Sequence, residues 1–67
     1  MKDLKIIETI CKKHGLGYIE ILRIGRRKKL IDARFELARE LRKEGFSTTE
    51  ISLLLNRDHT TVLNMLK

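Results

Sequence analysis

Phe46-Ser47-Thr48-Thr49-Glu50-Ile51-Ser52-Leu53-Leu54-Leu55-Asn56-Arg57-Asp58-His59-Thr60-Thr61-Val62-Leu63-Asn64-Met65-Leu66-Lys67 reads as two short helices joined by a tight turn. Ser47 and Glu50 have the spacing of a capping box, in which each side chain bonds the other residue's backbone N–H. Phe46 before the cap and Ile51 after it fit the accompanying hydrophobic staple. The first helix should run from about Thr48 to Leu55, with Ile51, Leu54 and Leu55 on its apolar face. Asn56 suits a left-handed turn position, because its short polar side chain tolerates that backbone. Asp58 is placed to cap the second helix. Val62, Leu63 and Leu66 give that helix an apolar side and leave His59, Thr60, Asn64 and Lys67 for the other. A short helix, a tight turn and a second helix with small polar groups near its start form a helix-turn-helix, whose second helix enters the major groove of DNA. Thr60 offers a methyl group to thymine and a hydroxyl to a base or phosphate. His59 can donate or accept, and Asp58 can accept from a cytosine amino group unless capping occupies it. Ser47 is first a cap, and a cap at that helix start can also lie against a phosphate.

Upstream, the chain reads as helices punctuated by glycines, without proline or repeats. Leu4, Ile7, Ile10 with Cys11, and His14 recur at helical spacing, predicting a helix over about 3–14 that Gly15 stops. Tyr18 to Leu22 predicts a helix of about a turn and a half, with Tyr18, Ile19 and Leu22 inward and Gly25 ending it. Its β-branched and aromatic residues also suit a strand, but no other segment could pair with one. The basic run Arg26-Arg27-Lys28-Lys29, preceded by Arg23, forms a loop over about 23–29. A long helix follows from near Leu30 to Lys43, with Leu30, Ile31, Arg34 (by its stem), Phe35, Leu37, Ala38 and Leu41 inward and Gly45 as its stop. Glu36 with Arg39 and Glu40 with Lys43 are spaced for surface pairs.

The 67 residues fit one domain, 1–67, and the expected class is all-α: a small helical bundle with the helix-turn-helix over about 47–67. Fifteen Lys and Arg against nine Asp and Glu leave a net charge of +6, which calls for a polyanionic partner, nucleic acid before an anionic membrane surface. With Tyr18, Phe35 and Phe46 as the only aromatics, a stacking platform for single strands is not expected. The longest apolar run, Leu53-Leu54-Leu55, is far short of the ~20 residues that span a bilayer. Cys11 is the lone cysteine, which suits a reducing cytoplasm. Cys11 and His14 lie one turn apart, two ligands where zinc needs three or four. Both read as core, and no metal, cofactor, small-molecule substrate or catalytic constellation is expected.

Leu37-Ala38-Arg39-Glu40-Leu41, Ser47-Thr48-Thr49-Glu50-Ile51 and above all Arg57-Asp58-His59-Thr60-Thr61-Val62-Leu63 closely resemble the C-terminal DNA-binding domain of the bacterial replication initiator DnaA. The resemblance covers nearly the whole chain. It implies a Trp-repressor-like fold that reads a short asymmetric DNA box. It also implies that Asp58, His59, Thr60 and Thr61 face bases or nearby backbone, and that the basic loop reaches the adjacent minor groove and phosphates. By position, Lys28 or Lys29 matches the family's minor-groove arginine. The chain departs from the family in three ways. Asn56 stands where glycine is usual, in a turn one residue shorter. The basic loop is a few residues shorter. The nucleotide-binding domain, with its phosphate-binding Gly-rich loop followed by Lys and Ser or Thr, is absent. The chain is therefore expected to be a fragment or a free-standing relative that does not itself hydrolyse ATP.

The reading at this level is sequence-specific binding of double-stranded DNA. Asp58, His59, Thr60 and Thr61 are expected to read bases. Arg23, Arg26, Arg27, Lys28, Lys29, Ser47, Thr48, Arg57 and Lys67 are expected on the backbone or minor groove. The expected setting is the cytoplasm, on the nucleoid, with replication proteins as a further class of partner. The alternatives are a transcriptional regulator or transposase targeting domain and, from another class, a small protein-interaction module that binds through an exposed apolar patch; the Leu53–Leu55 run reads first as core and second as a docking surface.

Overall fold

The computed structural model describes residues 2–23, 25 and 27–67. Five helices, and no strand among the described residues, follow in the order α1 (Lys2–His14), α2 (Tyr18–Leu22), α3 (Lys28–Lys43), α4 (Thr48–Leu55) and α5 (His59–Met65). The all-α bundle expected from the sequence is the fold observed.

Three of the helices stop in the same way. At the end of α1, Leu16 N–H donates to the Cys11 carbonyl at 2.9 Å and Gly15 N–H to Lys12 at 3.2 Å. At the end of α3, Phe46 N–H donates to Leu41 and Gly45 N–H to Arg42, both at 3.1 Å. At the end of α4, Arg57 N–H donates to Ser52 at 3.0 Å and Asn56 N–H to Leu53 at 3.3 Å. This pair of crossed bonds is the Schellman arrangement, and it needs a left-handed residue just past the helix. Gly15 (φ 66°) and Gly45 (φ 97°) supply it without a side-chain penalty, and Asn56 (φ 54°, ψ 48°) supplies it at α4. Gly25 acts differently from the stop expected of it. The helix α2 already ends at Leu22, and a Cβ on Gly25 would come within 2.8 Å of Leu30 Cδ1. A side chain at that position would have to displace the Leu30 methyl group, so the role of Gly25 is local fit against Leu30 and not helix termination.

The hub is α3, which packs against each of the other four helices. Its inward stripe is Leu30, Ala33, Arg34, Leu37, Ala38 and Leu41, an unbroken three- and four-residue alternation. Ile31 and Phe35 fall outside that stripe: Ile31 is exposed and Phe35 is half-buried. Ile7, Ile10 and Cys11 from α1, Ile21 from α2, Ile51 and Leu55 from α4, and Val62 and Met65 from α5 close on the hub. Two inward assignments change with it. Ile21 is fully buried while Ile19 is 66% exposed, because residues two apart on a helix point some 200° apart and only one can join Tyr18 and Leu22. Likewise Val62 with Met65 faces the core, which turns Leu63 outward at 43% exposure. Glu36 does not pair with Arg39. It reaches α1 instead, accepting from Lys13 Nζ at 2.6 Å and bonding His14 Nε2 at 2.8 Å. The Glu40–Lys43 pair is present at 3.8 Å.

Candidate nucleic-acid interface

Residues 46–67 assemble as their spacing suggests. Ser47 Oγ accepts from Glu50 N–H at 3.1 Å, and Glu50 Oε1 accepts from Ser47 N–H at 2.9 Å, which completes the capping box. Phe46 packs on the core that contains Ile51. The turn is Asn56, Arg57 and Asp58, and α5 begins at His59. Asp58 caps α5 with its backbone carbonyl, which accepts from Val62 N–H at 3.1 Å. Its carboxylate makes no cap hydrogen bond and stands exposed. The side-chain capping expected of Asp58 is therefore absent, which leaves the carboxylate available to a donor outside the chain.

With Val62 and Met65 buried, the outer surface of α5 carries His59, Thr60, Leu63 and Asn64, all exposed, and the exposed Lys67 follows just past the helix end. Thr61 is exposed on the flank and, with Asn64, borders a groove of about 320 Å³ whose other wall is Ile31, Arg34 and Phe35 of α3. Leu63 was not legible as an outward residue, because a leucine inside an apolar run is assigned to the core by default. Its place one turn after His59 and one turn before Lys67 is the signal that could have moved it. The ring of His59 is already engaged: Nε2 lies 2.7 Å from Thr48 Oγ1. That bond joins the first residue of α4 to the first residue of α5 and leaves Nδ1 for a further partner.

The basic residues divide. Lys28 and Lys29 form the first turn of α3 instead of ending the loop, with Arg27 as N-cap and no acidic residue nearby in that turn. Three cations thus sit at the positive end of a 16-residue helix, an arrangement that anions relieve. Arg23, Arg27, Lys28 and Lys29 are exposed and make no salt bridge with a described carboxylate. The ion pairs that do form involve Lys2, Lys12, Lys13 and Lys43, all on α1 and α3. Lys28 shares a helical stripe with Ile31 and Phe35, which puts it at the α5 side of α3. Lys29 points the other way: its Nζ lies 3.6 Å from where a Cβ on Gly15 would stand, at the end of α1. Arg26 lies outside the described residues. Ser47 and Lys67 are exposed, and Thr48 is half-buried.

Arg57, expected on the DNA backbone or minor groove, is half-buried. Its guanidinium turns inward: Nη1 donates to the carbonyls of Leu22 (3.3 Å), Leu55 (3.3 Å) and Asn56 (2.8 Å), and Nη2 to Ile21 (3.5 Å) and Arg23 (2.7 Å). Arg34, read from sequence as an apolar stem, is 4% exposed and works the same way from α3. Its Nε donates to Ile21 at 2.9 Å, Nη1 to Gly25 at 2.8 Å and Nη2 to Arg23 at 2.5 Å. Burial lowers the Arg34 pKa from its usual value and the nearby Arg57 charge lowers it further, yet a guanidinium stays charged at any working pH. Cys11 belongs to the core, where burial and then Glu20 raise its thiol pKa and keep it protonated.

No helix among the described residues is long and apolar enough to cross a membrane. No protein-family model matches the chain, and neither a curated protein nor a solved structure matches it.

Proposed function

We propose that this chain binds double-stranded DNA sequence-specifically, with α4, the 56–58 turn and α5 acting as a helix-turn-helix. The observation that carries the reading is the outer surface of α5. Asp58, His59, Thr60 and Thr61 are all exposed at its start, within a chain of net charge +6 whose exposed Arg23, Arg27 and Lys28 make no salt bridge among the described residues. Thr60 and Thr61 read bases, Asp58 accepts from a base amino group, and Leu63 offers an apolar contact to a thymine methyl. His59 reads through Nδ1 while Nε2 holds Thr48. Arg23, Arg27, Lys28, Ser47 and Lys67 lie along the phosphates, and Lys28 is better directed toward the minor groove than Lys29. The similarity of Arg57–Leu63 to the initiator's signature favours an initiator-type DNA box as the target, with the work of a transcriptional regulator or transposase targeting domain as the competing assignment. Titration of labelled duplexes and single strands of random sequence at several salt concentrations tests the class of ligand. The duplex should bind more tightly, with affinity falling steeply as salt rises. Equal binding to single strands, or a salt-independent affinity, would reject it.

A further inference from the structure

Two guanidiniums from different parts of the fold converge on one short connector. Arg34 of α3 and Arg57 of the 56–58 turn both donate to the Arg23 carbonyl, at 2.5 and 2.7 Å, and both reach Ile21, at 2.9 and 3.5 Å. Asn56 Nδ2 adds a bond to Leu22 at 3.4 Å. These carbonyls belong to the end of α2 and the start of the basic loop. Placing two like charges together is unfavourable unless the shared acceptors offset it, so the geometry is specific to these carbonyls. Arg57 immediately precedes Asp58, the N-cap of α5. One residue therefore ties the start of the recognition helix to the start of the basic loop.

We propose that Arg57 is a positioning residue: with Arg34 it clamps the α2–α3 connector beside the start of α5, so that the loop cations and the base-reading residues meet DNA at a fixed separation. The proposal rests on the DNA reading above and adds to it a role for an arginine that otherwise reads as a phosphate contact. The two roles differ in chemistry. A phosphate contact needs one cation, and lysine can replace arginine there. A clamp needs several donors in a planar fork, which one ammonium does not provide.

The test uses the duplex that the wild-type chain recovers from a random pool, with Arg57→Met, Arg57→Lys, Arg23→Ala and Thr60→Ala, alone and combined. In the wild type, Arg23→Ala should weaken binding roughly tenfold, the worth of one charge-assisted bond. With Arg57→Met present, Arg23→Ala should cost less than about twofold, because the connector is no longer held in register, whereas Thr60→Ala should keep its full effect. Arg57→Lys should behave like Arg57→Met. Without DNA, trypsin should cut after Arg23 or Arg27 on the order of ten times faster in both Arg57 variants. Full, additive Arg23 effects in the Arg57→Met background, or near wild-type binding by Arg57→Lys, would overturn the clamp while leaving the DNA reading intact. Recovery of no duplex by the wild type would overturn the DNA reading and this proposal with it.

Discussion

Arg34→Met should unfold this protein more readily than any change of an exposed arginine on the same helix. Methionine keeps the length and apolar stem of Arg34 and removes the guanidinium that donates to Ile21, Gly25 and Arg23 at 2.9, 2.8 and 2.5 Å. The Arg23 carbonyl retains Arg57 at 2.7 Å, and Ile21 retains a weak bond at 3.5 Å. Gly25 loses its partner. One orphaned carbonyl and one weakened one, at ~1–3 kcal/mol for an unsatisfied group, give a net cost of about 2–4 kcal/mol once relief from burying a charge is allowed for. For a chain of 67 residues the whole stability is roughly 3–10 kcal/mol. The loss should lower Tm by roughly 10–30 °C. Urea and thermal unfolding followed by circular dichroism measure it, with Arg39→Met, exposed on α3, as the control expected within ~0.5 kcal/mol of wild type. If Arg34→Met and Arg39→Met unfold within ~0.5 kcal/mol of each other, the carbonyl clamp does not hold the connector.

Other outcomes follow from the same structure. The four exposed cations assigned to phosphates, Arg23, Arg27, Lys28 and Lys67, set a log–log salt slope of roughly −3.6, so affinity should fall about 150-fold between 50 and 200 mM salt. A filter-binding series with a slope near zero would contradict the assignment. Thr60→Ala should lose about 1–3 kcal/mol of discrimination at one base pair, scored against all single-base variants of the bound site; a uniform loss across sequences would remove Thr60 from base readout. Bonds from Lys13 and then His14 hold the Glu36 carboxyl below its ordinary value of 4.5. A group whose pKa is lowered by folding stabilises the fold above its unfolded value, and that contribution disappears as pH falls through the folded one. Unfolding midpoints measured from about pH 6 down to about pH 3 should therefore drop further for the wild type than for Glu36→Gln. Parallel curves would show that the α1–α3 pairing adds nothing.

What could be read from the sequence was whatever is encoded locally. Ser47 and Glu50 complete a capping box within four residues, and Gly15, Gly45 and Asn56 end helices through bonds spanning five. Each feature depends on neighbours in the chain, so its spacing was enough. What depended on tertiary direction was less legible. Ile19 and Ile21 are equally apolar, and only docking on α3 decides that Ile21 is inside. Leu63 and Met65 pose the same choice on α5. Arg34 and Arg57 look like any other members of a basic chain, because nothing local says that carbonyls of the α2–α3 connector will stand within reach. Lys28 and Lys29 are adjacent and chemically identical, and only the helix beneath them sends one toward α5 and the other toward Gly15. In the candidate site, the segment was legible from its pattern, whereas the inward turn of Arg34 and Arg57 beside exposed Arg23 and Arg27 was not.

Selection of bound duplexes from a random pool, followed by sequencing, measures whether the exposed start of α5 reads the sequence of a DNA duplex. One short, asymmetric box should be enriched, with strong preferences at neighbouring base pairs and loss of the preference at one of them in Thr60→Ala. A pool that stays random after repeated selection at low salt would contradict it.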